Sequence, residues 1–138
     1  MESGIRLAGA LWWYWFTRSL TTEGRKWLEQ LVEHREEVGP EFRVKLLNGA
    51  GAMAYSAGDY LRSSALHKEA LELSKQIGDV WNASFSLGSL AIQYTFRGEL
   101  ERARAMAEES LTLAREIGDK WLIADELLVL GHVLTLQW

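Results

Sequence analysis

The chain has 138 residues, 48% of them hydrophobic and 25% charged, which is enough apolar material for one domain with a substantial core. Its net charge of -4 and pI near 5.4 are spread as mixed signs along the chain, so no basic stripe exists to neutralise phosphates and direct nucleic-acid binding is not expected. The absence of cysteine excludes disulfides and thiolate metal sites, and suits a reducing, cytoplasmic setting.

No segment shows the period-2 alternation of a strand, and the pattern predicts seven helices. The first, residues 5–18, carries the run Leu11-Trp12-Trp13-Tyr14-Trp15-Phe16. That run is far shorter than the roughly 20 residues that cross a bilayer, and it lacks the charged leader and small-residue cleavage site of a signal peptide. A helix ringed so completely with large apolar side chains is coverable on only part of its circumference. Two roles stay open for it, filling the first inter-helix layer through Trp12, Tyr14 and Trp15, or presenting a patch to a partner or membrane surface. Trp13 and Phe16 are the outward-facing candidates. The second helix, 22–36, follows the turn Ser19-Leu20-Thr21-Thr22 and opens at Glu23-Gly24-Arg25-Lys26-Trp27-Leu28. The third, 40–56, begins at the single proline, Pro40, whose missing amide has no intrahelical partner in a first turn anyway.

From here the chain repeats itself. Gly58 to Arg97 laid over Gly98 to Gln137 matches at a fixed offset of 40, with 13 identical pairs that include Gly58/Gly98, Arg62/Arg102, Glu69/Glu109, Ile77/Ile117, Gly78/Gly118, Asp79/Asp119 and Trp81/Trp121. The fourth and sixth helices, 59–77 and 99–117, carry apolar residues at spacings of three and four, Leu66, Ala70, Leu73 and Ile77 in one, Leu100, Ala103, Ala107 and Leu111 in the other. Each ends at a glycine suited to a left-handed C-terminal cap, Gly78 or Gly118, and the aspartate that follows is placed to N-cap the fifth helix, 79–96, or the seventh, 119–137. The units therefore run roughly 5–37, 40–77 and 79–117, with 119–137 unpaired, in a single domain spanning 1–138. A period of this length marks stacked repeats, each burying its apolar face against its neighbours. Trp81 and Trp121, at the same point of successive units, are read as repeated core packing.

The openings Gly58-Asp59-Tyr60 and Gly98-Glu99-Leu100, the Glu69-Ala70-Leu71 and Glu109-Ser110-Leu111 steps, the turns Ile77-Gly78-Asp79-Val80-Trp81 and Ile117-Gly118-Asp119-Lys120-Trp121, and the small residues Gly51, Ala91 and Gly131 where paired helices approach resemble the tetratricopeptide repeat. The likeness is to its longer bacterial form, found in the helical regions of MalT-like and LuxR-type regulators, and the segments Leu7 to Trp15 and Glu23 to Glu29 resemble the start of such a region. The resemblance implies an all-α, tetratricopeptide-like solenoid of about seven antiparallel helices in a right-handed superhelix, acting as a protein-interaction module. No phosphate loop or helix-turn-helix is evident, so ATP hydrolysis and DNA binding do not carry over, and the chain is expected to be a fragment of something longer.

In such arrays the first helix of each pair lines the groove, which the resemblance places at Arg6, Trp13, Lys45, Asn48, Tyr55, Phe85, Ile92, Asp125, Leu128 and His132. Lys45 and Asn48 are candidates to hold a peptide carboxylate, although the carboxylate clamp of chaperone-binding tetratricopeptide domains is incomplete, with Phe85, Gly88 and Ser89 in its other places. His34, His67 and His132 sit at unrelated phases, so no metal site is expected, nor a cofactor. Glu33, Glu36, Glu37, Glu72, Glu108 and Glu109 sit on helix faces and are read as solvated ion pairs. No pair of carboxylates is set in an apolar cleft, so an enzyme is not expected. The last helix is apolar almost all round, which predicts association of a second copy through Leu127, Leu130, Leu134 and Trp138. A second reading is small-molecule sensing, distinguished by a closed pocket lined by Trp13, Tyr55 and Phe85.

Overall fold

Four glycines with positive φ punctuate the chain, Gly58 at 80°, Gly78 at 73°, Gly98 at 77° and Gly118 at 67°. Glycine enters this left-handed region without the steric cost a Cβ brings, so each marks where one helix stops and the chain reverses. In the computed structural model, which describes residues 2–18 and 21–137 and only the backbone at 5, 8, 9, 15, 16 and 21, the resulting elements are α1 (Glu2–Thr17), α2 (Thr21–Val32), a 3-10 turn (Arg35–Glu37), α3 (Pro40–Ser56), α4 (Tyr60–Ile77), α5 (Val80–Phe96), α6 (Leu100–Ile117) and α7 (Lys120–Gln137). No strand occurs among the described residues.

The caps form from side chains adjacent to the glycines. Asp59 Oδ1 accepts from the Arg62 amide at 3.1 Å, Asp79 Oδ1 from Asn82 at 3.0 Å and Asp119 Oδ1 from Leu122 at 2.9 Å. At the fourth equivalent site the longer Glu99 makes no such bond. At the C-terminus of α4 the Asp79 amide donates back to the Ser74 carbonyl at 2.9 Å, which satisfies an otherwise orphaned carbonyl.

The helices stack in two layers. The odd-numbered helices touch in series, α1 on α3, α3 on α5 and α5 on α7, while α2, α4 and α6 each pack against the odd-numbered helices before and after them. This is the arrangement of an α-solenoid. Leu28, Val32, Leu46, Leu47, Met53, Leu66, Phe85 and Leu122 belong to one core cluster, and Leu90, Ala91, Tyr94, Ala103, Ala107, Val129 and Val133 to a second further along.

Three local expectations are corrected. The second helix ends at Val32 instead of 36, because the Arg35 guanidinium bends back to the Val32 carbonyl at 2.9 Å while Arg43 donates to the carbonyls of Arg35 (3.0 Å) and Val38 (3.2 Å). Gly131 meets nothing within 4 Å of where a Cβ would stand, so it is not a close-approach site, whereas Gly51 is, its Cβ position lying 2.7 Å from the His67 ring. The acidic residues pair mainly between units, not along one helix: Arg25 with Asp59 and Glu29 with Arg62 (2.8 Å) tie α2 to α4, Arg35 with Glu69 (2.7 Å) ties the 3-10 turn to α4, and Lys75 with Glu109 (3.0 Å) ties α4 to α6. Of the six glutamates read as local pairs, Glu37, with His34, and Glu108, with Arg104, are the ones that pair within four residues among the described residues.

The two interfaces between odd-numbered helices are built differently at equivalent positions. Between α3 and α5 the Asn48 carbonyl oxygen accepts from Ser86 Oγ (2.8 Å) and lies 2.9 Å from His67 Nδ1, while its amide donates to Asn82 Oδ1 (3.0 Å). Between α5 and α7, Asn48 is replaced by Gly88 and Ser86 by Glu126 at the offset of 40. Here Glu126 reaches over Gly88, whose Cβ position is 2.7 Å from the Glu126 carboxyl carbon, and accepts from Ser110 Oγ on α6.

Candidate functional site

The first turns of α5 and α7 each carry a tryptophan, and the layer order brings both towards α1. Trp81 stacks on Phe85 (5.5 Å between ring centroids, 13° between planes) and lies parallel to Trp121 (6.0 Å, 13°). From α1, Trp13 meets Trp121 edge to face at 5.0 Å and 87°, and Trp12 meets Phe85 at 5.5 Å. Trp12 and Trp13 are themselves nearly perpendicular, 85° at 5.5 Å. Offset and edge-to-face pairs of this kind are the favoured arrangements of aromatic quadrupoles.

Between these rings a cavity of about 170 Å³ opens, lined by Trp12, Trp13, Ala52, Tyr55, His67, Phe85, Ser89, Ile92, Gln93, Trp121 and Asp125. A second hollow of about 270 Å³ adjoins it, bounded by Trp12, Trp13, Trp81 and Trp121. The first resembles in size the cavity of about 150 Å³ that takes up benzene in a well-studied engineered core, so one ring or one short alkyl chain fits it.

Its polar groups are few, and one of them is a carboxylate. Asp125 is half-buried, and burial pushes its carboxyl above the ordinary value of 3.8. No ion pair or hydrogen bond reaches its carboxylate among the described residues. Gln93 is buried, donates from Nε2 to Ser63 Oγ at 3.0 Å, and leaves Oε1 with no partner. His67 is fully buried, which lowers its pKa from 6.5 to about 4, so its ring is neutral at physiological pH. Since its Nδ1 faces the Asn48 carbonyl oxygen, that nitrogen carries the proton. Burial, followed by the neighbouring Tyr60, raises the Tyr55 hydroxyl above its ordinary value of 10.0.

Of the residues expected on the groove, the structure gathers Trp13, Tyr55, Phe85, Ile92 and Asp125 around this one cavity. The others lie elsewhere. Asn48 is 1% exposed and spends its amide on Asn82, Ser86 and His67, so it lies beneath the surface and is unable to meet a peptide carboxylate. Lys45 is exposed beside Phe42, 6.0 Å from its ring, and Arg6 covers the same ring at 4.7 Å. His132 sits on the exposed side of α7 against Phe96, 5.8 Å away, and Leu128 is 74% exposed.

Tyr14 is exposed and does not fill the first layer, while Trp12 is buried. The side chains of Trp15 and Phe16, and all of Trp138, lie outside the described residues. Trp121 is 43% exposed and is not core but the wall of the hollow, whereas Trp81 is half-buried, packs on the first core cluster and shares that wall. On α7, Leu127 is exposed, Leu134 half-buried, and Leu130 packs on the second core cluster within the chain. Sequence reasoning missed Trp12, Ala52, His67, Gln93 and Trp121 as lining residues. The available signal was Trp81 and Trp121 recurring one turn before Phe85 and Asp125, on the face that α1 overhangs.

Among the described residues no three His, Asp or Glu side chains converge to hold a metal ion, and no helix is long and apolar enough to cross a membrane. No curated protein matches the chain. A family model described as tetratricopeptide repeat matches residues 42–116, more than half of the length and spanning α3 to α6 almost entirely. Two layers of antiparallel helices, glycine turns at an offset of 40 and this match converge: the chain belongs to the tetratricopeptide repeat family, whose arrays mediate protein–protein interaction.

Proposed function

We propose that the chain is the interaction module of a bacterial signalling or transcription regulator, and that it holds a peptide or helical segment along the face of α1, α3, α5 and α7 with one anchoring side chain in the aromatic hollow. The observation that carries this reading is the 170 Å³ cavity on that face, walled by Trp12, Trp13, Phe85 and Trp121 and sized for a single side chain. Large aromatic residues in a desolvated pocket are the groups on which binding energy concentrates. The test is to pan a random peptide library against the immobilised protein and measure the enriched peptides by calorimetry. Binding that weakens about tenfold or more with Trp13→Ala and stays unchanged with Leu128→Asp is expected. Peptides indifferent to Trp13, or no enrichment at all, overturn it.

A second reading, small-molecule sensing within such a regulator, is favoured by one specific observation: Trp13, Tyr55 and Phe85 share that cavity. Thermal-shift screening against metabolites tests it, since a ligand selective for the folded form raises the melting temperature by mass action. For self-association through α7, the supporting feature is the exposed row Leu127, Leu128 and Leu136. Sedimentation of the wild type against Leu128→Asp decides it, and an identical monomer in both sinks it.

A further inference from the structure

The cavity between α1, α3, α5 and α7 is lopsided in its chemistry. Its walls are π faces and edges, and the one charged side chain that lines it, Asp125, has no ion pair or hydrogen bond among the described residues. No lysine or arginine lines it, or lines the adjoining four-tryptophan hollow. The one titratable base in the lining, His67, is neutral and has its N–H turned to Asn48. A neutral apolar guest would fill the volume yet leave a partly desolvated anion without a donor, which is costly. A cation bearing N–H groups answers both demands together: the negative faces of the indoles and the carboxylate.

We infer that this cavity is a binding site for an organic ammonium ion, its N–H groups donated to the Asp125 carboxylate and its alkyl stem laid against Trp12, Trp13 and Trp121. The inference rests on the reading of this face as the binding surface and supplies its anchor, a lysine side chain of the bound segment or a free alkylamine. Both sources share the same chemistry. An anionic guest is disfavoured by Asp125.

The test is a set of titrations of the folded protein followed by tryptophan fluorescence, using butylammonium chloride, butan-1-ol and Nα-acetyl-lysine methylamide as probes. Butylammonium is expected to bind saturably and at least about tenfold more tightly than butan-1-ol, with Asp125→Asn removing most of that preference. Equal binding of the alcohol, or a preference that survives Asp125→Asn, overturns the inference, as does no saturable binding of either amine. Trp121→Leu, which keeps an apolar wall but removes a π face, should weaken the amine more than the alcohol. If that variant does not fold by circular dichroism, the Asp125→Asn arm still decides. Lysine methylamide binding as well as butylammonium points to a peptide source, and butylammonium alone to a free amine. Peptides that bind with an apolar anchor while no amine binds would refute this inference and leave the interaction reading standing, and the reverse pattern would do the opposite.

Discussion

Glu126 should control how the stability of this protein depends on pH. Its side chain is 1% exposed beneath Gly88, with Ser110 donating to one carboxyl oxygen and nothing reaching the other. Burial, aided by the charge of Asp125 and opposed by the Ser110 bond, raises its pKa from 4.5 to about 8. In the unfolded chain the group ionises near 4.5, so between 4.5 and about 8 the folded state holds a proton that unfolding releases. Stability must then fall with rising pH across that window, by about 1.4 kcal/mol per pH unit. His67 acts in the opposite sense. Its folded pKa is lowered from 6.5 to about 4, so unfolding takes up a proton between those values and stability rises with pH there. The two slopes cancel from roughly pH 4.5 to 6.5, leaving the Glu126 slope alone above 6.5 and a loss of about 2 kcal/mol by pH 8. Glu126→Gln keeps the shape and an acceptor for Ser110 but cannot titrate. Its profile should climb by about 3 kcal/mol from pH 4 to 6.5 and then stay level to pH 8. Urea unfolding followed by circular dichroism, at steps of pH and constant ionic strength, reads both curves. A variant that declines above pH 6.5 as steeply as the wild type would refute the assignment of that slope to the buried carboxyl.

Three further outcomes are expected. Gly88→Ala should cost about 1–3 kcal/mol in urea unfolding, because the new methyl meets the Glu126 carboxyl, and the cost should shrink in a Glu126→Ala background, a coupling readable from a double-mutant cycle. Asp119→Ala should cost about 1 kcal/mol through the lost cap on Leu122, and should shift tryptophan emission because Trp81 Nε1 donates to Asp119 Oδ2 at 3.2 Å. Leu130→Asp should unfold the protein or lower its melting temperature sharply, since Leu130 packs into the second core cluster, while Leu128→Asp at a 74% exposed site should stay within about 0.5 kcal/mol of wild type by thermal denaturation.

The parts of the fold governed by local chemistry were legible before any coordinates. Gly78-Asp79 and Gly118-Asp119 carry a left-handed cap and an N-cap in two adjacent residues, so the boundaries of α4 to α7 were readable to within one residue. What depends on the angle between helices was not. Periodicity fixes which residues of α1 share a face, but only the packing of α1 over α3 decides that Trp12 turns inward and Tyr14 outward. Trp81 and Trp121 repeat faithfully, and repetition alone does not separate a core position from the wall of a hollow. Asn48 has the composition of a groove residue, and only its partners Asn82, Ser86 and His67, distant in sequence, place it inside. The ladder from Arg35 to Glu69 and Lys75 to Glu109 was hidden for the same reason, since the partners lie 34 residues apart on different helices.

The unlike build of the two inter-helix contacts makes the units non-interchangeable. A bulky amide faces a small hydroxyl at one, Asn48 against Ser86, and at the other the sizes are reversed, Gly88 against Glu126. Splicing out one unit so that α3 abutted α7 would force Asn48 against Glu126, and the converse shuffle would leave Gly88 and Ser86 facing an empty gap. Each junction thus works as a key cut for a single lock, and this holds the order of the helices along the stack although their sequences descend from a common pattern.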